Sequence, residues 1–152
     1  MTASDLTILL VEDNSTDVIL IRRAFDKAKL GNPVQVVSDG DAAVDYLAGS
    51  GTYTDRKRFP LPILILLDLK LPRRSGIEVL QWLRAQDTLK RIPVVMLTSS
   101  QQERDVNAAY DMGVNSYLVK PVEFDGLLEM LKTINLYWLM LNERPRFDGE
   151  PR

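Results

Sequence analysis

Ile63-Leu64-Ile65-Leu66-Leu67-Asp68 is a run of five aliphatic residues closed by a carboxylate. Its length suits a strand, and its lack of alternation suits one covered on both faces, as in a parallel sheet. Three further runs share the pattern. Leu6-Thr7-Ile8-Leu9-Leu10-Val11 ends on Glu12-Asp13, Pro93-Val94-Val95-Met96-Leu97 ends on Thr98, and Ser116-Tyr117-Leu118-Val119 ends on Lys120-Pro121. Ligands of a parallel sheet bind outside the carboxyl ends of its strands, so these four ends are expected to converge on one crevice.

Helical patterns fill the intervals. Asn14 to Asp17 offers a helix start, Val18, Ile21, Phe25 and Ala28 follow at helical spacing, and Gly31-Asn32-Pro33 is the expected stop. Val34 to Val37 reads as a short strand and residues 41–48 as a second helix. Residues 49–62 form a longer loop than a compact alternating fold needs. Ser75-Gly76-Ile77-Glu78 and Ser100-Gln101-Gln102-Glu103 read as capping boxes for the third and fourth helices, Gly113 closes the fourth, and the fifth starts near Val122. Five strands alternating with five helices predict an α/β fold, a doubly wound parallel sheet in a three-layer α/β/α arrangement. The flavodoxin-like strand order 2-1-3-4-5 fits five strands. That order is taken from the fold class, and it puts Glu12-Asp13 and Asp68 on the two strands at the switch point.

With 152 residues the chain is expected to be one domain over residues 1–142, ending in an extended helix, with 143–152 a flexible tail and no output domain. Its composition, 45% hydrophobic and 26% charged with a net charge of -2, gives no support for a nucleic-acid or membrane surface. The chain has no cysteine and no histidine. Disulfides, thiolate metal sites and Ser-His or Cys-His nucleophilic pairs are therefore excluded, and any metal must be a hard one on oxygen ligands. No signal-peptide layout and no apolar run of about 20 residues is present, so a cytoplasmic protein is expected.

Like charges sharing a crevice call for a cation. Glu12, Asp13 and Asp68 would make an oxygen site suited to Mg²⁺ or Mn²⁺, with the backbone carbonyl of Lys70 a plausible further ligand. Asp68 would be placed to attack phosphorus in line. Lys120 and the Thr98 hydroxyl would stabilise charge on the phosphoryl oxygens, which is most of what phosphoryl transfer asks of a protein. Each residue has a plain reading when taken alone: a turn or cap for Asp68, a helix-dipole partner for Glu12-Asp13, an ordinary strand-end residue for Thr98, a commonplace dipeptide for Lys120-Pro121. Their occurrence in order, at successive strand ends, favours a site.

From Leu6 to about Leu136 the chain resembles a response-regulator (CheY-like) receiver domain, the phosphoacceptor module of two-component signalling. The matching residues are Glu12-Asp13, Asp68 with Leu71-Pro72 and Gly76, Thr98, Tyr117 and Lys120-Pro121. The resemblance implies that Asp68 accepts a phosphoryl group from a histidine of a sensor kinase and that Glu12 and Asp13 serve the metal. It implies that Lys120 bridges to the phosphoryl group, that Lys120-Pro121 is a cis peptide, and that Thr98 and Tyr117 form the switch. The protein would then be a phosphoacceptor rather than a conventional enzyme, assisting its own phosphorylation and dephosphorylation. Ser99 beside Thr98 leaves room for the donor. Lys70 and Ser100 depart from the commonest receiver pattern and are expected to tune phosphoryl lifetime.

Beyond the helix-5 stripe of Phe124, Leu127, Leu128, Leu131, Ile134 and Trp138, the segment Leu136-Tyr137-Trp138-Leu139-Met140-Leu141 is apolar on every side. One exposed helix of a monomer cannot bury it. It either folds back on its own domain or, in the sharper reading, caps a homodimer formed by helix 4, strand 5 and helix 5. That extension, the long loop before strand 3 and the Asp68-to-Arg73 turn together resemble single-domain regulators of cyanobacterial phytochrome-type histidine kinases. A dehalogenase-type phosphatase would need an Asp where Lys70 stands, an FMN carrier would not tolerate Glu12-Asp13, and a P-loop is absent. A receiver fold that acts as an adaptor without phosphorylation is the remaining rival.

Overall fold

The computed structural model describes residues 6–145. Its order is β1 (Ile8–Val11), α1 (Ser15–Lys27), β2 (Val34–Val37), α2 (Gly40–Ala48), β3 (Leu64–Leu67), α3 (Gly76–Arg84), β4 (Val94–Thr98), α4 (Glu103–Asp111), β5 (Ser116–Val119) and α5 (Phe124–Ile134). The five strands form one parallel sheet ordered β2-β1-β3-β4-β5. Val11 stands beside Leu67, Leu67 beside Met96, and Thr98 beside Val119, so β1 and β3 end level and β4 and β5 run two residues further at the same edge.

The period-two geometry of the strands divides their side chains between two cores. Leu9, Val11, Ile65, Leu67, Val94 and Met96 pack against α2, α3 and α4. Ile8, Leu10, Leu64, Leu66, Val95 and Leu97 pack against α1 and α5. Burial on both faces explains why these strands read as unbroken apolar runs.

Local chemistry sets most helix ends. Asn14 Oδ1 accepts the Asp17 N–H at 3.0 Å, opening α1, and Ser75 with Glu78 forms the full capping box of α3. Helix α1 stops before the expected Gly31. Lys29 turns to φ +56, and Leu30 N–H reaches the Phe25 carbonyl at 3.1 Å. This is a Schellman ending held by packing of Leu30 on the core, which offsets the left-handed lysine. The expected capping box of α4 is not formed. Ser100 Oγ donates to Asp105 Oδ2 at 2.5 Å, and α4 begins at Glu103 with no side-chain cap. Helix α5 begins at Phe124, two residues after the expected start.

The segment from Gly49 to Pro62 is organised by α2. Arg56 donates to the carbonyls of Tyr46 at 2.7 Å and Leu47 at 2.8 Å, satisfying the helix C-terminus. Tyr53 and Phe59 pack their rings on Tyr46, whose hydroxyl donates to the Pro60 carbonyl at 2.7 Å. Gly49 sits at φ +71, and a Cβ there would meet the Arg56 guanidinium at 2.9 Å.

After Ile134 the chain changes winding. Residues 135–141 form a π-helical turn rather than more α-helix, closed by the Asn142 N–H on the Tyr137 carbonyl at 2.7 Å. Trp138 and Leu139 fold back onto the α1/α5 core, while Leu136, Tyr137, Met140 and Leu141 stay exposed. The expected flexible tail falls mostly on residues 146–152, which lie outside the described residues. Among the described residues no helix is long and apolar enough to cross a membrane.

Candidate functional site

The shared carboxyl edge of the strands brings the expected residues together. Glu12, Asp13, Asp68, Lys70, Thr98, Ser100 and Lys120 all line one crevice of about 710 Å³ at the carboxyl edge of the sheet. Main-chain bonds fix their bases: Asp68 N–H donates to Val11 O at 3.0 Å, Glu12 N–H to Val37 O at 3.0 Å, and Lys120 N–H to Thr98 O at 2.7 Å. Gly76 is required by close approach, because a Cβ there would lie 2.2 Å from the Asp68 carbonyl oxygen.

Glu12 is 2% exposed and Asp68 9%, while Asp13 stands open to solvent. One carboxylate oxygen from each lies within 4.8 Å of the others. This all-oxygen set suits a small hard dication, whose metal–oxygen bonds of about 2.1 Å would draw the three carboxylates closer together. The two oxygens of Asp68 are differentiated. Oδ1 accepts the Leu69 N–H at 2.8 Å, and Oδ2 faces the Lys120 ammonium at 3.6 Å.

Lys120 is the internal counter-ion. Its Nζ donates to Glu12 Oε1 in a short bond and to Asp17 Oδ2 at 2.9 Å. Burial pushes the Glu12 carboxyl up to about 7, against the hydrogen bond from Lys120 and with the help of the Asp68 charge. Burial would lower the Lys120 ammonium, but the hydrogen bonds of Glu12 and Asp17 outweigh it and hold its pKa above the ordinary lysine value.

Thr98 is 2% exposed at the end of β4. Its Oγ1 accepts the Ser100 N–H at 3.5 Å. Tyr117 does not line the crevice. It stands half-buried behind β4 and donates its hydroxyl to the Ser100 carbonyl at 2.9 Å. Lys70 is exposed at the rim.

One expectation needs correction, and one residue of the crevice was not foreseen. The Lys120–Pro121 bond is trans, since no cis peptide occurs among the described residues. Trans is the lower-energy form of X-Pro by about 0.5–1 kcal/mol, and from it Lys120 already reaches Glu12 and Asp17. Asp17 was legible only as part of a helix start, yet it enters the crevice and pairs with Lys120. Its signal was its place in the first helical turn directly after the Glu12-Asp13 strand end. The apolar end of α5 lies apart from the crevice. There Tyr137 and Trp138 line a groove of about 400 Å³ with Ser116, Leu118, Met130, Thr133 and Ile134.

Comparison with known proteins agrees with this geometry. A family model described as the response regulator receiver domain matches residues 8–132. The probable methanogenesis regulatory protein FilR2 of Methanothrix harundinacea is 42% identical over 141 residues, covering 91% of this chain and 86% of its own. The response regulator Rcp1 of Synechocystis is 41% identical over 132 residues, covering 87% and 88%. Among solved structures, the phosphorylated cyanobacterial phytochrome response regulator RcpA superposes with a TM-score of 0.86 at 40% identity, over 93% of this chain and 99% of that one. The Mn²⁺-bound form of Rcp1 superposes with a TM-score of 0.83 at 39% identity, with the same coverage of both chains.

Proposed function

Because the chain belongs to the response regulator receiver family, we propose that it is a single-domain response regulator whose phosphoacceptor is Asp68. The observation that carries this reading is the Asp68 carboxylate itself. It is buried at a strand end, within 4.8 Å of two further carboxylates and 3.6 Å from the Lys120 ammonium. Family membership implies a histidine kinase as partner, and the likeness to the phytochrome response regulator RcpA supports a phytochrome-type one. The compartment would be the cytoplasm.

Asp68 Oδ2 is the oxygen for the reaction, since Oδ1 is engaged by the Leu69 amide. It forms the O–P bond as the P–N bond of the donor phosphohistidine breaks, and the imidazole, already protonated on its other ring nitrogen, leaves neutral with the bonding pair on the freed nitrogen. Lys120 neutralises charge on the phosphoryl oxygens, and the Thr98 hydroxyl is the neighbouring donor. Glu12, Asp13 and Asp68 would hold Mg²⁺, with the Lys70 carbonyl as a further ligand. When bound, that ion supplies Lewis-acid neutralisation of the phosphoryl oxygens. The protein works as a substrate of its kinase that assists its own phosphorylation and dephosphorylation, not as an enzyme on other molecules.

The signal would leave through α4, β5 and α5, and the exposed Leu136, Tyr137, Met140 and Leu141 would meet a second copy as a homodimer. The decisive experiment incubates wild type and Asp68→Asn with acetyl phosphate or a phytochrome-type kinase and Mg²⁺, followed by phosphate-affinity electrophoresis. Wild type should shift and Asp68→Asn should not. A wild-type chain that no donor labels would leave the unphosphorylated adaptor as the better reading.

A further inference from the structure

The Lys120 ammonium is divided between two carboxylates that the phosphoacceptor reaction does not consume. It has three N–H donors. One goes to Glu12 and one to Asp17 Oδ2 at 2.9 Å, while Asp68 Oδ2, at 3.6 Å, lies beyond hydrogen-bond reach. Lys120 therefore rests displaced from Asp68, toward α1.

Glu12 and Asp17 differ in what happens to that hold. Glu12 belongs to the three-carboxylate cluster that fits a dication, so a bound cation competes with Lys120 for it. Asp17 lies outside that cluster. Its backbone is fixed independently of Lys120, because its N–H is bound to Asn14 Oδ1 and α1 is anchored by buried Ile21, Ala24 and Phe25. The Asp17 carboxylate can therefore follow the ammonium only as far as its short side chain turns about a Cα held by α1. It is the partner that Lys120 must give up when an anionic group arrives on Asp68.

We propose that Asp17 is a positioning residue for Lys120, holding the ammonium back from Asp68 and so weakening the site's affinity for a phosphoryl group. This rests on the reading of Asp68 as the phosphoacceptor. The Asp17–Lys120 pair is partly buried, with side-chain exposures of 32% and 12%, so its loss should be felt modestly rather than as a collapse of the site.

The test measures beryllofluoride binding to the full chain at saturating Mg²⁺ by calorimetry or ¹⁹F NMR, and Mg²⁺ binding alone. Asp17→Asn keeps the backbone N–H that the cap uses and removes only the charge. It should tighten beryllofluoride about three- to fivefold, the scale on which a partly exposed ion pair acts. It should also weaken Mg²⁺ alone, because a nearby negative charge is gone. A general loosening of the fold would weaken both.

Lys120→Met supplies the second arm. In that background Asp17→Asn should change beryllofluoride affinity less than about twofold, because the restraint has nothing left to act on. An unchanged or weaker affinity in the single variant overturns the proposal. So does equal tightening without Lys120, which would mean simple relief of charge repulsion. Failure of the wild-type chain to bind beryllofluoride with Mg²⁺ would instead overturn the phosphoacceptor reading on which the proposal stands.

Discussion

Tyr117 donates its hydroxyl to the main-chain carbonyl of Ser100 at 2.9 Å, tying β5 to the loop that follows Thr98. Ser100 is gripped on three sides: its N–H meets Thr98 Oγ1 at 3.5 Å, and its Oγ donates to Asp105 Oδ2 on α4 at 2.5 Å. Thr98, Tyr117 and α4 thus share one residue. Burial raises the Tyr117 phenol above its ordinary pKa.

That shared residue makes Tyr117→Phe a test of transmission. The variant should lose about 1 kcal/mol of stability, the net worth of one hydrogen bond. It should still bind beryllofluoride with Mg²⁺ at Asp68. The amide shifts that binding produces along α4 in an NMR titration should shrink. Full-sized shifts in α4 would show that the signal bypasses Tyr117.

Lys70 bears on lifetime rather than on transmission. It is exposed at the rim of the crevice, where its cation can approach an acyl phosphate dianion and obstruct water. Lys70→Ala should shorten the phosphoryl half-life about two- to fivefold, the scale of a screened surface charge, with a smaller difference at high salt. Timed loss of label from phosphorylated protein reads this out. Equal half-lives would remove Lys70 from the account.

The turn from Asn135 to Leu141 sets up a test of association. Leu136, Tyr137, Met140 and Leu141 are 51–68% exposed beside the groove lined by Leu118, Met130 and Trp138. Replacing Tyr137 and Met140 together by Ser should leave the α5 core intact, because Leu127, Leu128, Leu131 and Ile134 carry that packing. Light scattering should then give a monomer where wild type gives a dimer. A wild-type monomer, or a variant that still pairs, would refer this surface to another partner.

What the sequence made legible follows from how the sheet is covered. Strands buried on both faces advertise themselves as unbroken apolar runs, so β1, β3 and β4 and the residues at their ends could be read directly. Asp17 could not be, because a first-turn carboxylate has an ordinary use at the helix dipole and its partner lies 103 residues away. The α4 helix starts at Glu103 rather than directly after Ser100 because Ser100 serves Asp105 and Tyr117 instead of a capping box. The 49–62 segment looked like a plain loop because its order comes from Arg56 reaching α2 carbonyls, a contact that no local pattern encodes.

That segment gives a pH prediction. Tyr46 is fully buried under Tyr53 and Phe59, and burial pushes its phenol up to about 12, with the Arg56 charge opposing. In the unfolded chain a tyrosine titrates near 10. The folded state therefore favours the protonated form. The contribution is fully present below pH about 10 and is lost as the pH rises through about 12, with a slope of up to about 1.4 kcal/mol per pH unit. Tyr46→Phe should cost about 1 kcal/mol at neutral pH by removing the bond to the Pro60 carbonyl. Its denaturant midpoint should then fall less steeply than that of wild type between pH 10 and 12. Parallel alkaline profiles would mean that Tyr46 ionises in the folded state as it does in the unfolded chain, and that the cap over α2 admits water.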